Sequence, residues 1–177
     1  MKKLFVIVII LGTIGLLYYM RENSNDSPAT ATVETDDRTF RPNASSATFT
    51  FDEGTVTLSQ GHFENKDDFE ETTLLPETAY GDLNNDGKND SVVLLARSGG
   101  GSGVFIYAAV YISGPINYKG TNALFLGDRI APEDISIANG VVTISYLDRR
   151  EDEALAAEPT IEVSKQFVYK NGEFQER

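Results

Sequence analysis

The most distinctive pattern in the chain is a pair of short, almost continuously apolar runs rich in β-branched and aromatic residues, Ser91–Arg97 and Val104–Ile112. Runs of this length and composition are typical of central strands that are covered on both faces. The residues between them, 98–103, are all serine or glycine, and such a segment does not continue a strand. The sequence therefore predicts an antiparallel hairpin in the middle of a sheet.

Two later segments alternate apolar and polar residues, Val141–Leu147 and Thr160–Tyr169. This alternation predicts strands with one buried face. An Asn-Gly pair at 139–140 precedes the first segment, and another at 171–172 follows the second. Because both residues of a type I′ turn need positive φ, which Asn and Gly tolerate, each pair predicts a β-hairpin.

The N-terminal half of the same region gives a weaker pattern. Phe49–Phe51 and Thr55–Leu58 flank Glu53 and Gly54, which predicts a third hairpin. Residues 65–73 are ambiguous between a short acidic helix and a loop. Together the segments predict a mostly β fold of about eight strands, a single antiparallel β domain packed as a sandwich or a partly open barrel.

The first twenty residues are of a different kind. Lys2 and Lys3 precede the uncharged stretch Leu4–Met20. A helix of that length is about 26 Å long, slightly short of a bilayer core of about 30 Å. The stretch ends in Tyr18, Tyr19 and Met20 with no small-residue cleavage site nearby, which favours an uncleaved N-terminal transmembrane helix over a cleaved signal peptide. The lysines favour a cytoplasmic N-terminus, so both alternatives export the rest of the chain.

The remaining domain boundaries follow from composition. Residues 21–46 are dominated by Ser, Thr, Asn, Asp, Ala and Pro, and only Val33 and Phe40 are large and apolar. Such a segment cannot bury enough surface to offset its ordering entropy, so it is predicted to be a disordered linker. The expected organisation is a signal-anchor at 1–20, a linker at 21–46 and a β-rich extracytoplasmic domain at 47–177.

Charge and residue usage narrow the function classes. The chain has 15 Lys and Arg against 27 Asp and Glu, a net charge of −12, which repels phosphate backbones and disfavours nucleic-acid binding. The absence of cysteine excludes disulfides, thiolate metal sites and a cysteine nucleophile. His62 is the only histidine, and carboxylate pairs such as Glu133 and Asp134 fall in polar turns, where acid/base catalysis is not expected. We therefore expect a protein that is not an enzyme.

Two Asp-Arg pairs stand at strand ends, at 128–129 and 148–149. They are either surface ion pairs of small energetic effect or contacts in which the arginines bridge two loops and fix the strand register.

One motif carries recognisable chemistry. Residues 81–90 read GDLNNDGKND, with oxygen-bearing side chains at Asp82, Asn84, Asp86 and Asp90 and a glycine at 87. Calcium takes six to eight oxygen ligands, and a tightly curled loop aims alternate side chains inward. An Asx-rich turn solvated by water is the alternative. Three carboxylates so close in sequence repel one another unless a cation neutralises them, which favours calcium.

The pattern D-x-N-x-D-G-x-x-D, entering a strand, resembles the calcium loops of FG-GAP repeats. Counted from Asp82, the twelfth position is Val93, so the loop lacks the bidentate glutamate of an EF-hand. The loop occurs once, whereas a propeller needs at least four blades. The resemblance implies Ca²⁺ ligands from the side chains of Asp82, Asn84, Asp86 and Asp90 and from the backbone carbonyl of Lys88.

A wider resemblance runs from Thr55 onward. The blocks that carry it are VTLSQGHFE, GDLNNDGKNDSVVLL, GGGSGVFIYAAVYI, YKGTNALFLGDRIAP and ISYLDRREDEALAAEPTIEVSKQFVY. In this order they are similar to a family of uncharacterised bacterial exported proteins. The resemblance supports the domain boundary and the export of the domain, and it implies no reaction. Together with the N-terminal segment, it gives the expectation of a single-pass protein of the bacterial cytoplasmic membrane with its C-terminal domain outside, or of a secreted protein if the N-terminus is cleaved.

These observations predict a non-enzymatic, membrane-tethered domain with one structural calcium ion. The alternative is an envelope binding or inhibitory module that engages a cell-wall enzyme, glycan or peptide through the glycine-rich hairpin and nearby loops.

Overall fold

The structure is a computed structural model that describes residues 40–177. In this part of the chain 58% of the residues are in strands and none is in a helix, which confirms the prediction of a mostly β, antiparallel fold. Accordingly, residues 40–177 contain no helix able to span a membrane. The predicted transmembrane helix at 1–20 and the linker residues 21–39 lie outside the described residues.

Residues 40–177 form twelve strands rather than about eight, and all paired strands are antiparallel. The strands are β1 (Thr48–Phe51), β2 (Gly54–Thr57), β3 (His62–Asn65), β4 (Glu70–Gly81), β5 (Asp90–Ser98), β6 (Phe105–Ile112), β7 (Lys119–Gly120), β8 (Leu124–Asp128), β9 (Ala131–Ala138), β10 (Val141–Asp148), β11 (Ile161–Lys170) and β12 (Glu173–Glu176).

The predicted hairpins are confirmed. β1 pairs with β2, and β5 pairs with β6 across the serine- and glycine-rich segment. The two Asn-Gly pairs connect β9 to β10 and β11 to β12. Asn139 and Gly140 have φ of 52° and 73°, and Asn171 and Gly172 have φ of 54° and 88°. Both residues of each pair thus have the positive φ that a type I′ turn requires.

For residues 65–73 the helix alternative is wrong, and the loop alternative holds only for the turn at residues 66–69. The segment forms the end of β3, a turn and the beginning of β4, which is 12 residues long and pairs with both β3 and β5. Glutamate has a low β propensity in isolation, but pairing beside the apolar strand β5 decides the local structure. Thr72, opposite Arg97 on β5, is buried within this segment.

The strands form three sheets. A central sheet has the order β3-β4-β5-β6-β7, with β8 also paired to β6; a four-stranded sheet has the order β12-β11-β10-β9; and β1-β2 is a separate ribbon. Val92 and Leu94 of β5 belong to the core shared with the four-stranded sheet, and Val93 and Leu95 belong to the core shared with the ribbon. Successive residues of β5 therefore enter different cores, which explains its continuous apolar sequence.

The described part of the predicted linker, residues 40–46, contacts the β domain. Ala44 is 3% exposed. The Ser45 carbonyl accepts a hydrogen bond from the N–H of Gly61 at 2.7 Å. The ring of Phe40 lies 6.0 Å from that of Tyr118, centroid to centroid. These residues therefore pack as part of the domain.

The two Asp-Arg pairs behave differently. Arg129 forms a local ion pair, its Nη2 lying 2.9 Å from the Asp128 carboxylate. The guanidinium of Arg149 instead donates to the carbonyls of Arg129, at 2.9 Å, and of Ala157. Arg149 therefore connects the loop between β10 and β11 to the turn between β8 and β9, as the bridging interpretation predicts.

Replacing Asp128 by asparagine is expected to make the loss of stability at acid pH shallower. The hydrogen bond from Arg129 holds the pKa of Asp128 below its ordinary value of 3.8, although partial burial opposes this shift. A carboxyl whose pKa is lower in the folded state stabilises the fold above its unfolded pKa and loses that contribution as pH falls through the folded pKa. The pair is partly solvated, so the effect is modest.

Melting temperatures between about pH 2 and pH 7, followed by circular dichroism, measure this effect. Asp152→Asn changes an exposed loop carboxylate and serves as the control. Identical acid-side curves for Asp128→Asn and the unaltered protein would show that the ion pair contributes nothing.

Candidate metal centre

The candidate metal centre lies in the loop that connects two neighbouring strands. β4 ends at Gly81 and β5 begins at Asp90, and these two residues are paired. The loop must therefore reverse direction within eight intervening residues. Asn85 and Gly87 have left-handed φ of 60° and 85°. A Cβ at Gly87 would meet no atom within 4 Å, so the glycine is required by its backbone conformation and not by a lack of space.

Side-chain oxygens of the loop accept hydrogen bonds from the loop's own backbone. The Asp82 carboxylate accepts from the N–H groups of Asp86, at 3.1 Å, and Gly87, at 2.9 Å. The Asp86 carboxylate in turn accepts from the N–H of Lys88 at 3.0 Å. The bond from Lys88 to Asp86, which spans two residues, is an Asx-type turn. A carboxylate oxygen has two lone pairs, so such a bond leaves each oxygen able to bind a cation as well.

A residue distant in sequence completes the polar cluster. Ser113, which follows β6 and is 4% exposed, donates from its Oγ to Oδ2 of Asp86 at 2.6 Å. Asn84 Nδ2 donates to the same Asp86 oxygen at 3.2 Å and to the Ser113 carbonyl at 3.0 Å. A cavity of about 360 Å³ opens here, lined by Asn84, Asp86, Lys88, Ser113, Gly114 and Pro115.

Asp86 keeps its negative charge in this setting. Burial acts to raise its pKa, but the hydrogen bonds from Ser113, Lys88 and Asn84 outweigh burial and lower the pKa below the ordinary value of 3.8. The residue is exposed on its outer side. An ionised carboxylate with one face open to solvent is a suitable ligand for a hard cation.

Asp90 differs from the other predicted ligands because it is fully buried. Its Oδ2 accepts from the N–H of Leu83 at 2.8 Å, and its Oδ1 accepts from the N–H of Ser113 at 2.7 Å. Burial raises the pKa of Asp90, and the two backbone hydrogen bonds only partly offset that effect. The carboxylate thus joins the start of the loop to the segment that follows β6.

The structure brings some of the predicted ligands together and separates others. Asn84 and Asp86 are in direct contact, Asp82 shares the Asp86 N–H with Asn84, and Lys88 enters the network through its N–H. Asp90 is linked to them through Ser113, from whose N–H it accepts a hydrogen bond. Within residues 40–177 no three His, Cys, Asp or Glu side chains are grouped closely enough to hold a metal ion. Each carboxylate of the loop instead accepts hydrogen bonds from different backbone N–H groups, which keep the carboxylates apart.

Sequence reasoning missed Ser113. No local motif marks it, but the hairpin register does: Ser91 pairs with Tyr111, so the residues before β5 face those after β6.

No family model, curated protein or solved structure matches the chain.

Proposed function

We propose that this protein is a non-enzymatic, membrane-tethered extracytoplasmic domain whose 82–90 loop binds one structural calcium ion. The observation that carries the proposal is the convergence of Asn84 and Asp86 on Ser113, beside the curled turn at Asp82. The proposed ligand atoms, which are carboxylate, amide and backbone carbonyl oxygens, are of the kind that calcium prefers. The net charge of −12 further raises the local concentration of cations.

The ion would be held by the side chains of Asp82, Asn84 and Asp86 and by the carbonyl of Lys88. Asp90 would either bind the ion through a second lone pair of a carboxylate oxygen or hold the loop in place through its backbone hydrogen bonds. Bound calcium would supply positive charge that cancels the repulsion between Asp82 and Asp86. Because the loop enters β5, the ion would stabilise the entrance to the central hairpin. The carboxylates of Asp82 and Asp86 now accept hydrogen bonds from backbone N–H groups. To bind the ion, they would have to move closer to each other.

The expected energetic effect is large enough to measure. Extracellular modules bind calcium with Kd of about 10⁻⁴–10⁻³ M. At free calcium about 20-fold above Kd, mass action adds roughly 1.8 kcal/mol to the free energy of unfolding. That is a substantial share of the 5–15 kcal/mol typical of a domain.

Amide chemical shifts test the position of the ion. In the ¹⁵N-labelled full chain in a non-ionic detergent, calcium is expected to shift the amides of Asp86, Gly87 and Lys88, whose N–H groups bond to candidate ligand side chains. The amide of Asp67, in an exposed acidic turn, is the internal control. Shifts confined to other acidic surfaces, or none, would contradict the assignment.

The location belongs to the same proposal. The apolar stretch at 1–20 supports a single-pass helix in the bacterial cytoplasmic membrane with the β domain outside, and the resemblance to exported proteins agrees with it. The shared core of the two larger sheets supports describing the domain as a sandwich and not as a partly open barrel.

The second candidate function is an envelope binding module that engages a protein or glycan through the loops around the glycine-rich hairpin. Phe105 and Phe125, near that hairpin, are 39% and 53% exposed. Exposed aromatic groups of this kind commonly mark interaction surfaces. Deleting residues 100–102 should then reduce partner binding without affecting the calcium response.

A further inference from the structure

An open cavity of about 490 Å³ lies at the root of the glycine-rich hairpin. Its aromatic wall is Phe105, Tyr107 and Phe125. Phe105 and Tyr107 lie two residues apart on β6, so they project from the same face of the central sheet, and Phe125 on β8 pairs opposite Tyr107. The rings of Tyr107 and Phe125 are 5.6 Å apart. The β1-β2 ribbon covers the neighbouring part of this face, where Phe51 contacts Tyr107, and the row of aromatic rings continues beyond it.

The polar lining of the cavity is anionic. Three carboxylates, those of Asp52, Glu53 and Glu70, face it together with the guanidinium of Arg97. Arg97 is 11% exposed and is paired to Glu53 at 2.6 Å and to Glu70 at 3.0 Å. One cation against three anions leaves an excess of negative charge at the wall.

Arg97 shows how this surface holds a cation. Its guanidinium lies over the ring of Phe51, with Cζ 4.9 Å from the ring centroid, while two carboxylates receive its N–H groups. A cation over an aromatic face with carboxylates at its edge is a favourable arrangement. The rings of Phe105 and Phe125 line the same cavity as the exposed residue Asp52 and offer the same combination, and among residues 40–177 no Lys or Arg side chain lies over either ring.

We propose that this cavity binds a ligand bearing a guanidinium or ammonium group on an apolar stem, as an arginine or lysine side chain does. A neutral glycan would stack on the rings but would gain nothing from the excess carboxylate charge, and an anionic ligand would be repelled. The inference rests on the second candidate function and is independent of calcium. The cavity and the 82–90 loop lie at opposite ends of β5, about 27 Å apart at 3.4 Å per residue.

The test is calorimetric titration of the full chain, in a polyoxyethylene detergent, with N-acetyl-arginine amide. The probe is expected to bind, and N-acetyl-citrulline amide, which has nearly the same shape without the charge, is expected to bind at least about tenfold more weakly. Phe125→Ala should weaken arginine binding about three- to fivefold by removing a cation–π contact. Leu155→Ala, at a residue of similar exposure, 54%, outside this cavity, should leave binding unchanged.

Two further probes separate the possible outcomes. If a capped peptide with arginine at its centre binds more tightly than the single residue, the ligand is a basic polypeptide; if it binds equally, the ligand is a small cation, and both results support the inference. Equal binding of the arginine and citrulline probes, or binding of an N-acetylglucosamine trimer alone, would overturn it while leaving an envelope-binding role intact. Binding of none of the probes would overturn the inference; the second candidate function is tested separately, by the deletion of residues 100–102.

Discussion

Replacing Asp90 by alanine is expected to lower the free energy of unfolding by about 3 kcal/mol. The side chain is fully buried, and its two oxygens accept hydrogen bonds from the N–H groups of Leu83 and Ser113. Each buried donor left without a partner costs about 1–3 kcal/mol. The alanine variant no longer has to bury a charged carboxylate, and this burial is what raises the pKa of Asp90. That gain in free energy offsets only part of the loss. Urea unfolding followed by circular dichroism measures the difference.

Two further variants separate this explanation from a general effect of removing charge. Asp90→Asn keeps one acceptor but turns an amide N–H toward a backbone N–H, so it should lose roughly half as much stability, about 1–2 kcal/mol. Asp152→Ala removes an exposed carboxylate and should change stability by less than about 0.5 kcal/mol. A loss below about 1 kcal/mol for Asp90→Ala would mean that the two N–H groups find other partners.

Asp82→Ala and Asp86→Ala are each expected to abolish the rise in melting temperature that calcium produces. The two carboxylates supply most of the negative charge that the proposed ligand set directs at the ion. A stabilisation of roughly 1.8 kcal/mol corresponds to a rise of about 5–8 °C for a domain of this size, so its loss is well outside experimental error. The melting temperature is measured with and without a chelator.

Asp67→Ala is the matched control because Asp67 is another exposed acidic side chain in a turn, away from the proposed ligands. Its calcium response should equal that of the unaltered protein. An equal response from all three variants would refute the assignment of the ion to the 82–90 loop and would point to non-specific screening of the negative charge.

The sequence predicted the parts of the fold that depend on local patterns. The Asn-Gly turns and the glycine-rich connection depend on backbone preferences of a few adjacent residues. The apolar run of β5 reflects burial on both faces. The strand β4 was missed because its beginning is acidic and its strand character comes from pairing with β5. Likewise, Ala44 is buried although it lies in a segment whose polar composition predicts a linker. A side chain as small as alanine can pack against the domain without other apolar residues beside it in the sequence.

For the candidate site, the sequence predicted the loop but not its surroundings. The alternating oxygens at Asp82, Asn84 and Asp86 are a local feature, and the structure joins them through short-range hydrogen bonds. The contacts of Ser113 with Asp86 and Asp90 span 27 and 23 residues. These contacts depend on strand register, which the alternation of apolar and polar residues does not determine. A symmetric hairpin around residues 99–103 would nevertheless have placed Ser113 opposite the end of the 82–90 loop.

The most direct test of the account is a calcium titration of the full chain in non-ionic detergent, after removal of bound ions with a chelator, in which heat and melting temperature are followed together. We expect one site with a Kd of about 10⁻⁴–10⁻³ M and a melting temperature that rises with its occupancy. No heat and no change in melting temperature at about 10 mM calcium, some tenfold above the weakest expected Kd, would contradict it. The 82–90 loop would then be an Asx-rich turn held by its own backbone.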